Sequence, residues 1–472
     1  MTRNLQSSFG LCLGLCAILA TFDRPARSAE VSPTTRKTDA PKFWEFAPTP
    51  PMGWNSYDCW GTSVTEEQVL ANATYMKERL LKHGWKYVII DARWYDTVSS
   101  DDDRNFNRER AGAKLFADEF GRLTPATNRF PSAADDKGFK PLSDQIHAMG
   151  LRFGVHLMRG IPRQAVNAKT PIAESTFTAA DAGNTKSICS WCPDMYGVKD
   201  NEAGQAWYDA MFKLYASWGL DFAKVDDLSR PYSTREIEMI RTAIDRSGRP
   251  IVLSTSAGPT DVAKASHISH QANQWRVSGD FWDRWKDLDH QFDLLAQWPD
   301  ACGPGHFPDA DMIPFGHIGI RCTIAGKDRQ TRFTHDEQVT LMSLWSLASS
   351  PLMLGMHLPD NDAFTESLIT NDEVLAIDQD PRCAGACRVS ARQGMEVWVK
   401  PLADGSHAVG FFNRGNEPAS ATLTWIDAGL AGKQAARDVW QHQEVGEFTD
   451  SMSMPLASHG AALLVLKRSN PS

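Results

Sequence analysis

One hydrophobic pattern recurs along residues 65–254: apolar residues at helical spacing, then a glycine, then a short apolar run that ends in a polar residue. The pattern is seen where Gly84 precedes 86–90, Gly150 precedes 151–155 and Gly219 precedes 222–225. Glycine at such positions is typical of a helix end, and the runs after it are typical of buried strands. Thr65 and Gln68 have capping-box spacing, which predicts the start of the first helix. Helices that alternate with buried strands predict a parallel sheet.

With about eight such strands between residues 45 and 385, the simplest architecture is a (β/α)8 barrel. A chain of 472 residues suits a barrel of roughly 250 residues or more together with a smaller module. The active site of such a barrel lies at the carboxyl ends of its strands. Polar residues at those ends are therefore expected to converge at one mouth: Asp91, His156, Lys224, Asp226, Ser256 and Asp280.

After residue 388 the helical spacing gives way to short alternating runs, such as 395–399 and 461–465. This pattern predicts an antiparallel β-sandwich, in which no catalytic groups are evident. Its expected role is to close one side of the barrel. The predicted organisation is a signal peptide at 1–29, a flexible leader at 30–44, a catalytic barrel at 45–387 and the β-sandwich at 388–472.

The amino terminus is typical of a secretory signal peptide. Arg3 precedes an apolar run over 9–22, and small residues suited to cleavage follow at 26–29. The apolar run is too short to span a bilayer comfortably, and no later stretch approaches the roughly 20 apolar residues that spanning needs. We therefore expect a protein without membrane insertion, exported to the periplasm or the extracellular space.

Export would permit disulfide bonds. Of the nine cysteines, Cys12 and Cys16 fall in the predicted signal peptide. The close pairs Cys189/Cys192 and Cys383/Cys387 are disulfide candidates, although spacing does not fix the connectivity. No second cysteine pair or histidine pair stands at ligand spacing, so we predict no metal site.

Composition narrows the classes of partner. Apolar residues at 42% and charged residues at 23% are usual for a globular protein that buries a sizeable core. The net charge of −9 is modest, and no long basic run could neutralise phosphates or an anionic membrane surface. Nucleic acid is therefore not an expected partner.

Two carboxylates at predicted strand ends suggest glycosidase chemistry. Cleavage of a glycosidic bond needs one ionised carboxylate at the anomeric carbon and one protonated carboxyl at the leaving oxygen. Asp226 and Asp280 are the candidates. Lys224 points to the same side of its strand as Asp226, where its charge can keep Asp226 ionised and bind a sugar hydroxyl. Asp280 must instead stay protonated in the resting enzyme, which we expect burial and the nearby charge of Asp226 to achieve.

Six blocks in order resemble family 27 of the glycoside hydrolases, the family of α-galactosidases and α-N-acetylgalactosaminidases. They are PPMGWNS at 50–56, KVD at 224–226, RVSGD at 276–280, GPGH at 303–306 with DADM at 309–312, LWSLASSPL at 344–352 and NDEVLAIDQDP at 371–381. The resemblance covers nearly the whole mature chain.

The resemblance implies a retaining α-glycosidase that needs no cofactor, most simply an α-galactosidase acting on terminal non-reducing sugars of oligosaccharides or polysaccharide side chains. Asp226 would be the nucleophile that forms a covalent glycosyl-enzyme, and Asp280 the acid/base. The substrate-binding residues implied are Tyr57, Asp91, Trp94, His156, Lys224, Ser256, Arg276, Asp311 and Met312.

Three positions depart from the family pattern. Two consecutive aspartates that hold galactose read Asp91 and Ala92 here, the tyrosine after the third strand is His156, and the glutamate after the fifth is Ser256. One ligand for a sugar hydroxyl is therefore missing, which weakens the argument for galactose. The alternatives are the same mechanism on an α-N-acetylgalactosaminide, a β-L-arabinopyranoside or an isomalto-type glucoside, or a catalytically inactive sugar-binding protein.

Overall fold

The structure, a computed structural model, describes residues 40–97 and 115–469. The predicted signal peptide and residues 30–39 of the predicted leader lie outside these ranges. The last leader residues belong to the folded protein: a 3₁₀ helix at Lys42–Phe46 buries Phe43, and the Trp44 indole donates to the carbonyl of Ser269 at 2.9 Å. Phe43 and Trp44 are therefore part of the folded protein, because their side chains pack on the barrel.

Eight parallel strands form the predicted barrel. They are β1 (Met52–Asn55), β2 (Tyr87–Ile90), β3 (Arg152–Met158), β4 (Phe222–Asp226), β5 (Val252–Thr255), β6 (Gln274–Arg276), β7 (Phe307–Asp309) and β8 (Leu352–Leu354). Hydrogen bonds join them in the order β7, β6, β5, β4, β3, β2, β1, β8. A parallel bridge between Ile313 and Leu354 closes the ring, because the Ile313 amide donates to the Met353 carbonyl at 2.7 Å.

Helices connect the strands. Those of the barrel are α1 (Tyr57–Trp60), α2 (Glu66–Tyr75), α3 (Lys140–Ala148), α4 (Arg163–Ala168), α5 (Ala179–Ala182), α6 (Glu202–Ser217), α7 (Thr234–Ser247), α8 (Ala265–Ser269), α9 (Trp285–Leu295), α10 (His335–Ala348), α11 (Ala363–Ile369) and α12 (Asp372–Asp378). Thr65 and Gln68 form the predicted capping box. Gly84, Gly150 and Gly219 take the left-handed conformation after their helical segments, which glycine adopts at little cost. Within the described ranges, no helix is long and apolar enough to cross a membrane.

Alternation along the strands decides which side chains enter the barrel. Tyr87 of β2 and Phe222 of β4 pack together in the interior with apolar residues of β5, β7 and β8. Since every second side chain points the same way, Asp91 continues the inward series of β2, and Lys224 and Asp226 continue that of β4. The strands therefore deliver these three polar side chains to the carboxyl end of the barrel.

Two short antiparallel sheets interrupt the barrel pattern. One, between β3 and α6, consists of Ile161–Pro162, Gly183–Ile188 and Met195–Val198. The other, between β7 and β8, pairs His317–Ile318 with Arg329–Gln330. Periodicity in the sequence did not predict either of them, because four of the five strands have at most four residues and the fifth, Gly183–Ile188, is mostly polar.

The carboxyl-terminal part is the predicted antiparallel β-structure. Its strands are β9 (Cys387–Arg392), β10 (Met395–Pro401), β11 (His407–Asn413), β12 (Ala419–Thr424), β13 (Gln434–Asp438), β14 (Gln443–Phe448), β15 (Ser451–Leu456) and β16 (Ala461–Arg468), with helix α13 (Trp425–Ala428) after β12. Six form one sheet in the order β9, β10, β11, β16, β13, β14, and β12 pairs with β15 in a second. Val397, Phe411 and Leu423 pack between the two sheets, which makes a sandwich.

The outer face of the six-stranded sheet covers helix α10 of the barrel. Trp398 and Phe412 join the hydrophobic core of the barrel. Lys400 is fully buried and donates to the Ser346 carbonyl at 3.0 Å and to the Ser349 hydroxyl at 2.6 Å. The sandwich thus closes one side of the barrel through both apolar packing and hydrogen bonds.

The candidate disulfides are not formed. Cys189, Cys192, Cys383 and Cys387 are free thiols. The Cys192 thiol is directed to Asp194, with 3.5 Å between Sγ and Oδ2. Cys383 is buried whereas Cys387 is exposed, so the two side chains occupy different environments despite their close spacing.

Candidate functional site

A cavity of about 420 Å³ opens at the carboxyl ends of the barrel strands. It brings together all but one of the residues predicted to bind substrate or act in catalysis: Tyr57, Asp91, His156, Lys224, Asp226, Ser256, Arg276, Asp280, Asp311 and Met312. A cavity of this size accommodates a single sugar ring with several polar contacts. Among the described residues, no cluster of histidine, cysteine and carboxylate side chains could hold a metal ion.

Asp226, at the end of β4, has its carboxylate fixed by two neighbours. Nε2 of His156, on the adjacent strand β3, lies 3.2 Å from Oδ2, and the backbone amide of Asp227 donates to Oδ1 at 2.7 Å. Burial by itself raises the pKa of Asp226, but the His156 hydrogen bond and the charge of Lys224 hold it below its usual range. The result is an oriented, ionised carboxylate.

Lys224 forms its ion pair with Asp91, and acts on Asp226 through space. Its Nζ lies 2.8 Å from Oδ2 of Asp91, which also accepts from Nδ2 of Asn55 at 2.7 Å. Burial alone would lower the pKa of Lys224 and raise that of Asp91, and the pairing reverses both directions. The floor of the cavity therefore presents an ammonium and a carboxylate side by side, ready for adjacent hydroxyls.

Arg276, at the end of β6, organises the opposite wall. Its Nη2 lies 2.6 Å from Oδ2 of Asp311 and 3.4 Å from Oδ1 of Asp280. Burial alone would lower the pKa of Arg276, but the charges of Asp311 and Asp280 raise it. Burial raises the pKa of Asp311 to about 7, against the opposing charge of Arg276. The guanidinium fixes Asp311 and contacts Asp280 from below.

Asp280 lies at the rim of the cavity and is not buried. Its side chain is 60% exposed, whereas the sequence argument expected burial to keep it protonated. The physical reason is its position in the loop after β6, four residues beyond Arg276, where no further strand covers it. The protein itself therefore does not bury Asp280, contrary to that expectation.

Three of the remaining predicted residues complete the wall. Tyr57 begins α1, and its backbone amide donates to the Asn55 side chain at 2.9 Å. Ser256 directly follows β5, with its amide donating to the Val225 carbonyl at 2.8 Å. Met312, next to Asp311, is buried against the apolar interior of the barrel. These contacts place small, aromatic and apolar surfaces around the polar floor.

Trp94 does not reach the cavity, which corrects the prediction that it binds substrate. Its indole is fully buried, donates to the His156 carbonyl at 2.7 Å and packs edge-on against Phe139 and Tyr215. The chain turns after β2 because Arg93 adopts a φ of 59°. Trp94 is thereby directed into the helix layer, away from the mouth.

Sequence reasoning missed a fifth carboxyl in the cavity, that of Asp58. It follows Tyr57 in α1 and is almost fully buried, and among the described residues its Oδ2 has no hydrogen-bond partner. Burial raises the pKa of Asp58 well above its usual range. A neutral carboxylic acid can donate a hydrogen bond as well as accept one. Its place beside the motif at 50–56 was the available signal.

The entrance is lined by apolar and aromatic residues that the sequence did not single out: Trp191, Phe281, Trp282 and Ile324. Phe281 and Trp282 directly follow Asp280, so their proximity to the site could have been predicted. Trp191 and Ile324 lie in loops between strands of the two short antiparallel sheets. Only tertiary folding brings those segments to the mouth.

Comparison with known proteins agrees with this geometry. A family model described as "Alpha galactosidase A" matches residues 202–380, and one described as "Alpha galactosidase C-terminal beta sandwich domain" matches 392–466. An α-galactosidase of Cyamopsis tetragonoloba is 29% identical over 427 residues, which are 89% of this chain and 86% of that protein.

Solved structures are similar over a comparable length. A family 27 β-L-arabinopyranosidase of Geobacillus stearothermophilus is 46% identical, with a TM-score of 0.88 over 92% of this chain and 99% of that one. A variant of the same enzyme in complex with arabinose is 46% identical, with a TM-score of 0.88 over 91% of this chain and 100% of that one.

The barrel, its carboxylate-lined cavity and the appended sandwich define a glycoside hydrolase. The 46% identity to the Geobacillus enzyme, across nine-tenths of the chain, identifies the family of glycoside hydrolases. The protein belongs to glycoside hydrolase family 27, as the sequence motifs indicated.

Proposed function

We propose that this protein is a retaining glycosidase that removes terminal β-L-arabinopyranosyl residues from oligosaccharides or polysaccharide side chains. The observation that carries the choice of sugar is the methyl group of Ala92 in the cavity wall, directly after Asp91. The Geobacillus enzyme that is 46% identical is named as a β-L-arabinopyranosidase, which supports the same substrate here.

In the proposed mechanism, Asp226 attacks the anomeric carbon while Asp280 gives its proton to the leaving oxygen. The glycosidic bond breaks, and a covalent ester joins the sugar to Oδ of Asp226. Asp280, now a carboxylate, then takes a proton from water, whose oxygen displaces Asp226 from the same carbon. Two inversions give net retention of configuration.

The exposure of Asp280 is compatible with this cycle because a bound substrate would cover its side chain. The carboxyl stands at the rim, next to Arg276 and the aromatic residues Phe281 and Trp282. A sugar in the cavity and a leaving group at the entrance would shield Asp280 from water, which favours its neutral form. After the leaving group departs, the same exposure admits the water molecule that completes hydrolysis.

The proposed sugar follows from a hydrogen-bonding side chain that is missing from the cavity wall at Ala92. β-L-Arabinopyranose has the ring configuration of α-D-galactopyranose without the hydroxymethyl group on C5. In this protein Ala92 stands where the family pattern has a carboxylate. The hydroxyl of a hydroxymethyl group would therefore have no hydrogen-bond partner there, at a cost of about 1–3 kcal/mol. The pentose has no such group to satisfy.

α-D-Galactosides are the second candidate, favoured by the polar set Asp91, Lys224 and Arg276. These residues bind either sugar, since the two rings share their hydroxyl configuration. The Cyamopsis relative is named as an α-galactosidase. The small side chains of Ser256 and Ala257 leave room beside them, so α-N-acetylgalactosaminides belong in the same test.

The mechanism is tested by removing each aspartate separately. Asp226→Ala and Asp280→Ala are both expected to lose turnover of substrates with poor leaving groups. Sodium azide should rescue each in a different way: the Asp226 variant gives a glycosyl azide of inverted configuration, and the Asp280 variant gives one of retained configuration. NMR of the products distinguishes them, and near wild-type turnover by Asp226→Ala without azide would end the assignment.

The choice of sugar is tested with aryl glycosides of β-L-arabinopyranose, α-D-galactose, α-N-acetylgalactosamine and α-D-glucose. We expect the highest kcat/KM on the arabinopyranoside. Ala92→Asp should shift the ratio of kcat/KM towards the galactoside by about 5- to 150-fold, the equivalent of one hydroxyl contact. Ala257→Asp, which adds a carboxylate elsewhere on the wall, is the control. A wild-type preference for galactoside would contradict the proposed sugar, and sugar binding without any hydrolysis would indicate an inactive binding protein.

A further inference from the structure

We infer that Arg159 is a positioning residue for Asp226, acting through the backbone of Asp227. It holds that backbone in the conformation that directs an amide at the Asp226 carboxylate. This inference rests on the proposed role of Asp226 as nucleophile. Nothing in the motifs of the chain points to it, since Arg159 lies beyond β3 and belongs to none of the six blocks.

The backbone after β4 is in a conformation that needs support. Asp227 has a φ of 64°, in the left-handed region that residues with a side chain rarely adopt. In this conformation its amide donates to Oδ1 of Asp226 at 2.7 Å. If Asp227 relaxed to the common backbone regions, this amide would turn away and the carboxylate would lose one of its two fixed contacts.

Arg159 contacts the chain on both sides of that amide. Its own backbone amide donates to the Asp226 carbonyl at 3.0 Å, and its Nε donates to the Asp227 carbonyl at 2.7 Å. Nε also lies 3.0 Å from Oδ2 of Asp227. Because Nε carries a single hydrogen, the carbonyl takes the hydrogen bond and the carboxylate is held by charge.

The guanidinium is itself anchored. Its Nη1 lies 2.9 Å from Oε1 of Glu236, on helix α7, and donates to the Ser187 hydroxyl at 3.0 Å. Oε2 of Glu236 accepts from the Tyr208 hydroxyl at 2.7 Å. Arg159, Asp227 and Glu236 are all less than a tenth exposed. The network therefore connects the end of β4 to two helices through buried groups with fixed positions.

Charge makes Arg159 essential to this arrangement. It is the cation between the two buried carboxylates of Asp227 and Glu236, and a buried charge without its partner is strongly unfavourable. Without Arg159, these carboxylates would repel each other or draw in water, and the turn at Asp227 would shift. Arg159 itself does not line the cavity, so it affects the reaction only through Asp226.

The first test separates positioning from folding and from substrate binding. Arg159→Met should lower kcat by about 10²-fold, the usual effect of a small displacement of a reacting group, with KM and inhibition by the free sugar nearly unchanged. Arg159→Lys, which keeps the charge but not the forked geometry, should lose less. Arg241→Met is the matched control, since Arg241 is similarly buried, lies on the same helix as Glu236, forms its ion pair with Asp245 and does not line the cavity.

Arg241→Met should lose thermal stability but keep kcat. Where Arg159→Met does not fold, Arg159→Lys provides the second variant, since it keeps the buried charge and removes the Nε–H that donates to the Asp227 carbonyl. A folded Arg159→Met or Arg159→Lys protein with wild-type kcat would overturn the inference.

The second test shows whether Arg159 acts through Asp226. In the Asp226→Ala background, azide replaces the nucleophile and no carboxylate needs orienting. The azide-rescued rates of Asp226→Ala and of Asp226→Ala/Arg159→Met should therefore be equal. An additional loss of rate in the double variant would overturn the inference while leaving the role of Asp226 intact. Full activity of Asp226→Ala without azide would instead overturn the proposed function itself.

Discussion

Replacing Lys224 with methionine is the most direct test of the electrostatics at the cavity floor. Methionine keeps the length of the side chain and removes its charge. In the native protein, Nζ of Lys224 lies 2.8 Å from Asp91, and the two side chains are 15% and 3% exposed. The substitution therefore leaves Asp91 as a buried carboxylate without its ion-pair partner.

The expected loss in the free energy of unfolding depends on the hydrogen bonds that Asp91 keeps in the variant. Removing one partner of a buried ion pair costs about 3–5 kcal/mol. Asp91 retains hydrogen bonds from the Asn55 side chain and the Ala92 amide, at 2.7 and 2.8 Å. We therefore expect a loss near the lower limit, about 3 kcal/mol in the free energy of unfolding. The double variant Lys224→Met/Asp91→Asn removes both charges and should recover most of it.

The effect should depend on pH with a defined sign. The pKa of Asp91 is lowered in the folded protein, so the pair stabilises the fold above the unfolded pKa of about 3.9. That stabilisation is lost as the pH falls through the lower folded pKa. The deficit of Lys224→Met should consequently be largest near neutral pH and shrink below about pH 4.

Urea unfolding followed by tryptophan fluorescence measures both predictions. Wild type, Lys224→Met and the double variant are compared at neutral pH and again near pH 3, below the unfolded pKa of an aspartate. The reasoning is refuted if Lys224→Met unfolds at the wild-type midpoint at neutral pH, or if the double variant is as unstable as the single one.

Three further predictions concern residues outside the catalytic pair. Trp94→Ala should cost about 3–5 kcal/mol of stability and leave KM unchanged in the folded fraction, because its ring fills the helix layer; a change confined to KM would contradict this. Asp283→Asn should lower the melting temperature at neutral pH by an amount that shrinks as the pH falls below about 4, since burial alone raises the pKa of Asp283 and hydrogen bonds from two arginines hold it below its usual range; a deficit that does not change with pH would contradict this. Gly355→Ala should lose about 1–3 kcal/mol, because its new methyl group would lie 2.0 Å from Asp58, whereas Gly279→Ala adds one in open space; equal stabilities would refute the clash.

The sequence by itself determined the barrel and much of its site. Helical spacing followed by short apolar runs marked the units, and glycines marked the helix ends, because these are local properties of the chain. Because side chains alternate in direction along a strand, the positions of its last residues then determined which of them face the barrel interior. Asp91 and the pair Lys224 and Asp226 could therefore be assigned to one mouth from their spacing alone.

Only the tertiary structure decided what depends on segments that meet from far apart. Trp94 is withdrawn from the mouth by a backbone turn, and Ile324 enters it from a hairpin that periodicity does not reveal. The exposure of Asp280 and the ion pair that supports Asp227 are set by which neighbours cover each group. Burial and charge pairing are properties of the assembled surroundings, so spacing along one chain could not predict them.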